Sequence, residues 1–245
     1  MGRLRLLAAL LGCAALAHAD PPKIIRVMRN MTWADGQAYG QANAGINVLG
    51  AISISGPSEI WFIELHNTFG TVEDLDQRIP VAHAGVPYSD EILPPSTTMI
   101  AVYRESLSHR WDEAVKNMQK ARYFMLSIYR IRPGTETGFA ALMKMRRSHY
   151  ESINFDQPAF GYQIMSGAIA GTYVFVTPLE SLKTFDDGLA KAPDGPRDPS
   201  ASEQKLAGEV EISHEYLLFR IDPQNSYVLE NFASGDPGFW NRRAK

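Results

Sequence analysis

The residues able to do chemistry are few in kind. The chain holds six histidines, ten tyrosines and four tryptophans against one cysteine, Cys13. Chemistry must therefore rest on imidazole, phenol, carboxylate or guanidinium. Tyr129, Tyr162 and Tyr173 lie on three separate runs of aromatic and β-branched residues. If their side chains share a face, they line a cavity with apolar walls and polar tips, suited to an aromatic or amphipathic ligand. Arg130 or Arg220 would then supply an anion contact at the rim. The competing reading makes the tyrosines core filler with hydroxyls at the edge. His149, in MRRSHYES, stands beside Arg146 and Arg147. An imidazole on a helix can act as a general base or ligate an iron, and the arginines would attract carboxylates. A helix-surface histidine beside solvated arginines is the plainer reading.

Several chemistries have no sequence support. HExxH, a phosphate-binding P-loop, GxSxG and an EF-hand loop are all missing. SGPSE and SGAIAG sit between strands rather than before helices, so they read as hairpin turns. His66, His83 and Glu64 have no spacing that requires them to converge, so no metal site is expected. His109 and Trp111 are explained by capping and packing of one helix, and His214 is isolated. A net charge of −3 leaves no footprint for nucleic acid.

The first residues read as a targeting segment. MGRLR supplies arginines, LLAALLGCAALA an apolar core and AHA a small-x-small cleavage site ending at Ala19. The expectation is a secretory signal peptide over 1–19 and a mature protein without a thiol, exported to the periplasm or the exterior. A lipoprotein anchored through Cys13 of LLGC is the alternative, with few apolar residues before the cysteine. No later apolar run has the length of a membrane helix.

The elements that must position these residues are written twice. SGAIAGTYVFVTPLESLKTFDD, from Ser166, echoes SGPSEIWFIELHNTFGTVEDLD, from Ser55. RYFMLSIYRIRP reads as a strand with Phe124, Leu126 and Ile128 on one face and Met125, Tyr129 and Ile131 on the other. Thr135 is placed to cap a helix carrying Phe139, Leu142, Met143, Arg146, Tyr150 and Ile153 at helical spacing. Strands over 160–165 and 171–177, a short helix over 179–191, the loop APDGPRDPSASEQ and a strand over 215–221 complete a β-α-β-β-α-β order, the ferredoxin-like unit. The first half repeats it: KIIRVMRNMT, a weaker helix ADGQAYGQANAGINVL, strands within GAISISGPSEIWFIEL, the helix TVEDLDQRI, a loop and TTMIAVYRE. Ser108 is placed to cap a linking helix with Leu107, Trp111, Ala114, Val115 and Met118 on one stripe. The expected divisions are 20–106, 107–121, 122–222 and a C-terminal tail over 223–245 with Phe239 and Trp240.

A four-stranded sheet with helices on one face needs cover on the other, and a second copy supplies it. Over about Lys23 to Asp222 the chain resembles the dimeric α/β-barrel superfamily. That resemblance implies an α+β fold of two tandem ferredoxin-like units packed sheet to sheet as a barrel within one chain. It implies a ligand in the barrel or between sheet and helix, and activities of the cofactor-free monooxygenase or isomerase kind. A haem-degrading branch implies a second reading, haem binding, with Asn30, Trp61 and His66 in roughly corresponding elements. A non-catalytic envelope protein is the third. The expected partner is a small molecule, and the expected state a monomer or homodimer.

Overall fold

Eight strands, several of them buried on both faces, dictate the architecture. The computed structural model describes residues 20–32, 45–78, 97–152, 157–191 and 199–241. In chain order its elements are β1 (Ile24–Arg29), β2 (Asn47–Ser53), β3 (Ile60–His66), α1 (Phe69–Arg78), β4 (Thr97–Tyr103), a 3-10 turn (Glu105–Leu107) and α2 (Trp111–Lys120). There follow β5 (Tyr123–Ile131), α3 (Glu136–Ser152), β6 (Phe160–Ser166), β7 (Thr172–Leu179), α4 (Lys183–Lys191), α5 (Ala201–Val210), β8 (Glu211–Tyr227) and the helical turns α6 (Glu230–Ala233) and α7 (Pro237–Trp240).

The strands close into one antiparallel barrel in the order β1-β3-β2-β8-β5-β7-β6-β4. The first four strands run 4-1-3-2 around half of it, and β8-β5-β7-β6 repeat that order around the other half. Two seams join the halves. β4 pairs with β6 through Tyr103↔Tyr162 and neighbours, and β8 pairs with β2 through Ala51↔Ile221 and neighbours. Each half thus lends its last strand to the other, and closure removes most sheet edge.

Inward-facing residues make the main core. Ile25, Leu49, Trp61, Phe124, Leu126, Phe160, Tyr162 and Phe219 all belong to it and are at most 2% exposed. The space left among Trp61, Ile63, Leu126 and Val176 is about 10 Å³, no more than one water could use. Dense packing of this kind is the norm for protein interiors. Buried residues of α2 (Ala114, Met118) and of the C-terminal turns (Phe232, Phe239, Trp240) join the same core. The Trp240 indole donates to the Gln119 carbonyl at 2.6 Å, and Arg122 pairs with Asp236 while lying over the Phe239 ring. The C-terminal segment is therefore docked on the body.

The structure differs from the sequence expectations in several places. Asn47–Leu49, assigned to a weak helix, are strand residues of β2, where Val48 and Leu49 are fully buried. Gly45 and Ile46 of that expectation form a bend, and its earlier residues, the loop before β4, Ile153 and the leader fall outside the described residues, as does His83. The stretch read as a loop before the last strand contains the start of α5, and β8 is far longer than the expected Glu215–Ile221, extending into the stretch read as a tail. Ser108 does not cap α2. Its hydroxyl donates to the Arg104 carbonyl and accepts from the Gly161 N–H. Thr135 likewise donates to the Arg132 carbonyl rather than accepting from the helix.

The β6–β7 hairpin makes one sharp demand. Gly167 has φ +84°, and a Cβ there would stand 1.9 Å from the Thr98 carbonyl oxygen on the neighbouring strand. Gly167→Ala should cost about 2 kcal/mol or more by urea unfolding. Gly208→Ala, in a helix with nothing near the added methyl, should gain up to about 1 kcal/mol in the same assay.

Candidate functional site

With the barrel interior filled, open space lies outside the sheet. Odd-numbered residues of β5 and β7 face outward, opposite the inward set Phe124, Leu126, Val174 and Val176. Met125, Ser127, Tyr129, Phe175 and Thr177 form the floor of a cleft of about 320 Å³. Helix α3 roofs it with Met143, Arg146, Arg147 and Tyr150, and Tyr216 of β8 and Phe185 of α4 close its sides. Leu107, His109, Gln157 and Ala159 complete the wall, where His109 and Ala159 form an isolated β-bridge. The size falls at the lower end for a small-molecule pocket, and the mixture of apolar walls with a few polar points is typical of one.

Its polar groups are held in place. Arg146, only 6% exposed, donates to Glu203 of α5 through Nε at 3.2 Å and forks onto both oxygens of Glu211 at the start of β8. Burial opposes the charge of Arg146, but the Glu211 carboxylate together with the neighbouring Tyr129 and Tyr216 outweighs it and raises the guanidinium above its usual value. The charge is thereby spoken for. The same guanidinium lies 5.3 Å from the Tyr129 ring centre. The Tyr129 hydroxyl is 3.0 Å from that of Tyr216. Burial, then Tyr216, push the Tyr129 phenol far above its ordinary value, so it stays neutral and offers hydrogen bonds, not a base. Arg147 differs from Arg146: its hydrogen bond goes to the Leu107 carbonyl at 3.1 Å, and burial lowers its pKa. His109 Nε2 is 3.8 Å from Glu151.

The six residues expected at a ligand site do not gather in one place. Tyr129 lines the cleft. Tyr173 faces the same side but lies under α3, its ring 4.8 Å from that of Phe139. Tyr162 points into the barrel and donates to the Pro22 carbonyl. Arg130 shares the inward register of Leu126 and Ile128. Arg220 borders a separate depression with Arg122, Tyr123 and Asp186, and His149 another with Ser200 and Glu203.

The residues of the haem reading are also apart. Trp61 is an inward core residue, its indole donating to Glu59 and its ring 4.5 Å from Phe219. His66 lies on the opposite face of β3, 1% exposed, with Nε2 2.7 Å from Glu64 and Nδ1 3.0 Å from the Thr71 hydroxyl. Glu64 in turn accepts two hydrogen bonds from Arg26, which also meets Asp76. Asn30 follows β1 with φ 56°.

His109, Tyr216, Ser127 and Thr177 were not singled out as site residues by the sequence. Met125 and Tyr129 were placed on one face of β5, which was the available signal for the floor. A signal for α5 also existed: Ser200 and Glu203 have capping-box spacing ahead of Leu206 and Val210, and the Ser200 hydroxyl does accept from the Glu203 N–H.

No protein-family model matches the chain, and no curated protein sequence matches it. Solved structures do. An anthrone oxidase-like protein superposes with a TM-score of 0.51 at 9% identity, over 84% of this chain and 93% of that one. A haem-binding protein from Thermus thermophilus gives 0.45 at 8%, over 82% and 91%. At such identities the first likeness establishes a shared α/β-barrel fold, and the second adds no argument.

The ion cluster that fixes the roof is testable. Arg146→Met would remove the buried cation that bridges Glu203 and Glu211, and should lower unfolding free energy by about 3–5 kcal/mol in urea titration. Restoring stability with the triple change Arg146→Met, Glu203→Gln and Glu211→Gln would show that stranded charge, not lost packing, causes the loss.

Proposed function

We propose that the protein binds a planar aromatic or amphipathic small molecule in the cleft between the β5–β7–β8 surface and α3. The observation that carries this is the cleft itself, whose walls are sulfur and ring carbons of Met125, Met143, Phe175 and Phe185. Polar contacts enter at fixed points: the Tyr129–Tyr216 hydroxyl pair, Ser127, Thr177 and His109. Flat π-systems suit such walls, since thioethers and aromatic edges both pack well against ring faces. Arg147 is the cation available to an acidic ligand group, because Arg146 is consumed by two glutamates.

Proton abstraction is the chemistry the cleft could add. Imidazole is the side chain suited to proton transfer near neutrality, and His109 stands on the cleft wall with Glu151 behind it. A hydroxylated aromatic deprotonated there would be activated toward oxygen or isomerisation. This is the cofactor-free monooxygenase or isomerase reading, and the fold shared with an anthrone oxidase-like protein supports it. The repeated strand order supports two tandem ferredoxin-like units, divided near the α2 linker. Export, with cleavage after Ala19, completes the proposal. It rests on the charged, apolar and small-residue order of the leader alone.

Haem binding stays as the contrasting reading, but Trp61 and His66 face opposite sides of β3. The test is a thermal-shift screen of tricyclic phenols, anthrones and quinols. A ligand near saturation should raise Tm by roughly 5–10 °C. Met143→Trp, which fills the cleft, should abolish the shift while keeping the far-UV spectrum. A shift that survives Met143→Trp would move the ligand elsewhere. No stabilisation by any aromatic, together with a displaced Soret band on adding haemin, would favour haem.

A further inference from the structure

The closed barrel keeps one free edge among the described residues. β8 is 17 residues long, and its ladder with β2 ends at Ser53↔Phe219. Ile54 and Ser55 add a last contact, their N–H groups reaching the Leu218 carbonyl at 2.8 and 3.3 Å, and the Ser55 hydroxyl accepts from the Leu218 N–H. Before Leu218, β8 is paired with β5 alone among the described residues, back to Glu211. Residues 212–216 are all exposed. Leu218 aims its N–H and C=O at the β2 side, whereas Ile221 donates to Arg122 on the β5 side. By strand alternation, His214 and Tyr216 present their main-chain groups to the open edge.

We infer that this edge pairs with the same edge of a second copy, antiparallel about a two-fold axis at His214. Three features select a second copy. The exposed large apolar residues of the segment are Ile212 and Tyr216, 43% and 44% exposed. They stand two residues either side of His214, so the two-fold sets each Ile212 across from a partner Tyr216. Charge selects this register over its neighbour. Pairing about His214 sets Ser213 opposite Glu215 and leaves Glu211, beyond the bulge and held by Arg146, out of the ladder, whereas pairing about Glu215 would set the two Glu215 side chains directly against each other. Finally, Ile54, 46% exposed, follows β2 where it meets Leu218 and prolongs the apolar surface beyond the free segment. The ladder shift at Ser213–Glu211 makes Ile212 the extra residue of a bulge. The bulge limits the ladder to a short, reversible one. The dimer does not depend on the ligand proposal. It would, however, bring the partner's Ile212 beside Tyr216, a cleft wall residue.

Sedimentation equilibrium over a concentration series tests it. The expected result is a mass rising from one chain to two. His214→Pro removes an N–H that points away from β5, so the internal ladder survives, and Ile212→Lys places a charge on the edge. Each should weaken dimerisation about tenfold or more with an unchanged circular dichroism spectrum. A single-chain mass at every concentration would overturn the inference. So would a dimer that both folded variants leave intact, since it would be using another surface.

Discussion

The structure depends on two apolar sheet faces that water cannot be allowed to reach. Each half presents one, and neither half can cover its own. The barrel solves this by exchanging last strands, β4 onto β6 and β8 onto β2, so that each half is completed by the other. The inward set, with Trp61, Phe124, Tyr162 and Phe219 at its heart, then fills the lumen. This constraint also decides where ligands can go. A packed interior leaves the outer face, beneath α3, as the place where side chains can stand apart.

That outer face is held open by an ion cluster rather than by apolar packing alone. Arg146 ties α3 to α5 and to the start of β8 through Glu203 and Glu211. Removing one buried partner would cost more than the pair contributes, so the three residues act together as a fixed strut. Its placement over Tyr129 keeps that ring in position, and burial keeps its phenol neutral. The long β8 strand links the three themes: its start anchors the strut, its middle supplies Tyr216 to the cleft, and its later half closes the barrel.

Much of this was legible in the residues. The strand β5 was marked by its aromatic and β-branched run, and its two faces were separated correctly because alternation is a local property. The linking helix was marked by its Trp111–Met118 stripe. Facing was harder. Alternation groups Tyr162 with Phe160 and Ile164, but which group faces the lumen is set by strand pairing across the seams. Asn47–Leu49 misled because apolar residues next to a glycine-rich stretch fit either a helix end or a buried strand. α5 carried only its capping-box signal on a polar surface, and the burial of its Glu203 involves Arg146, 57 residues earlier, which no local window contains. His109 looked like a capping residue because its role comes from a bridge to Ala159 that no sequence window contains.

The central claim is that ligand enters the outer cleft and not the barrel. Methionine-methyl NMR reads both places at once: Met125 and Met143 line the cleft, whereas Met99 lies in the barrel core. On titration with a tricyclic phenol, ring currents should shift the Met125 and Met143 signals and leave Met99 unmoved. A shifted Met99 with Met125 and Met143 unchanged would contradict the account.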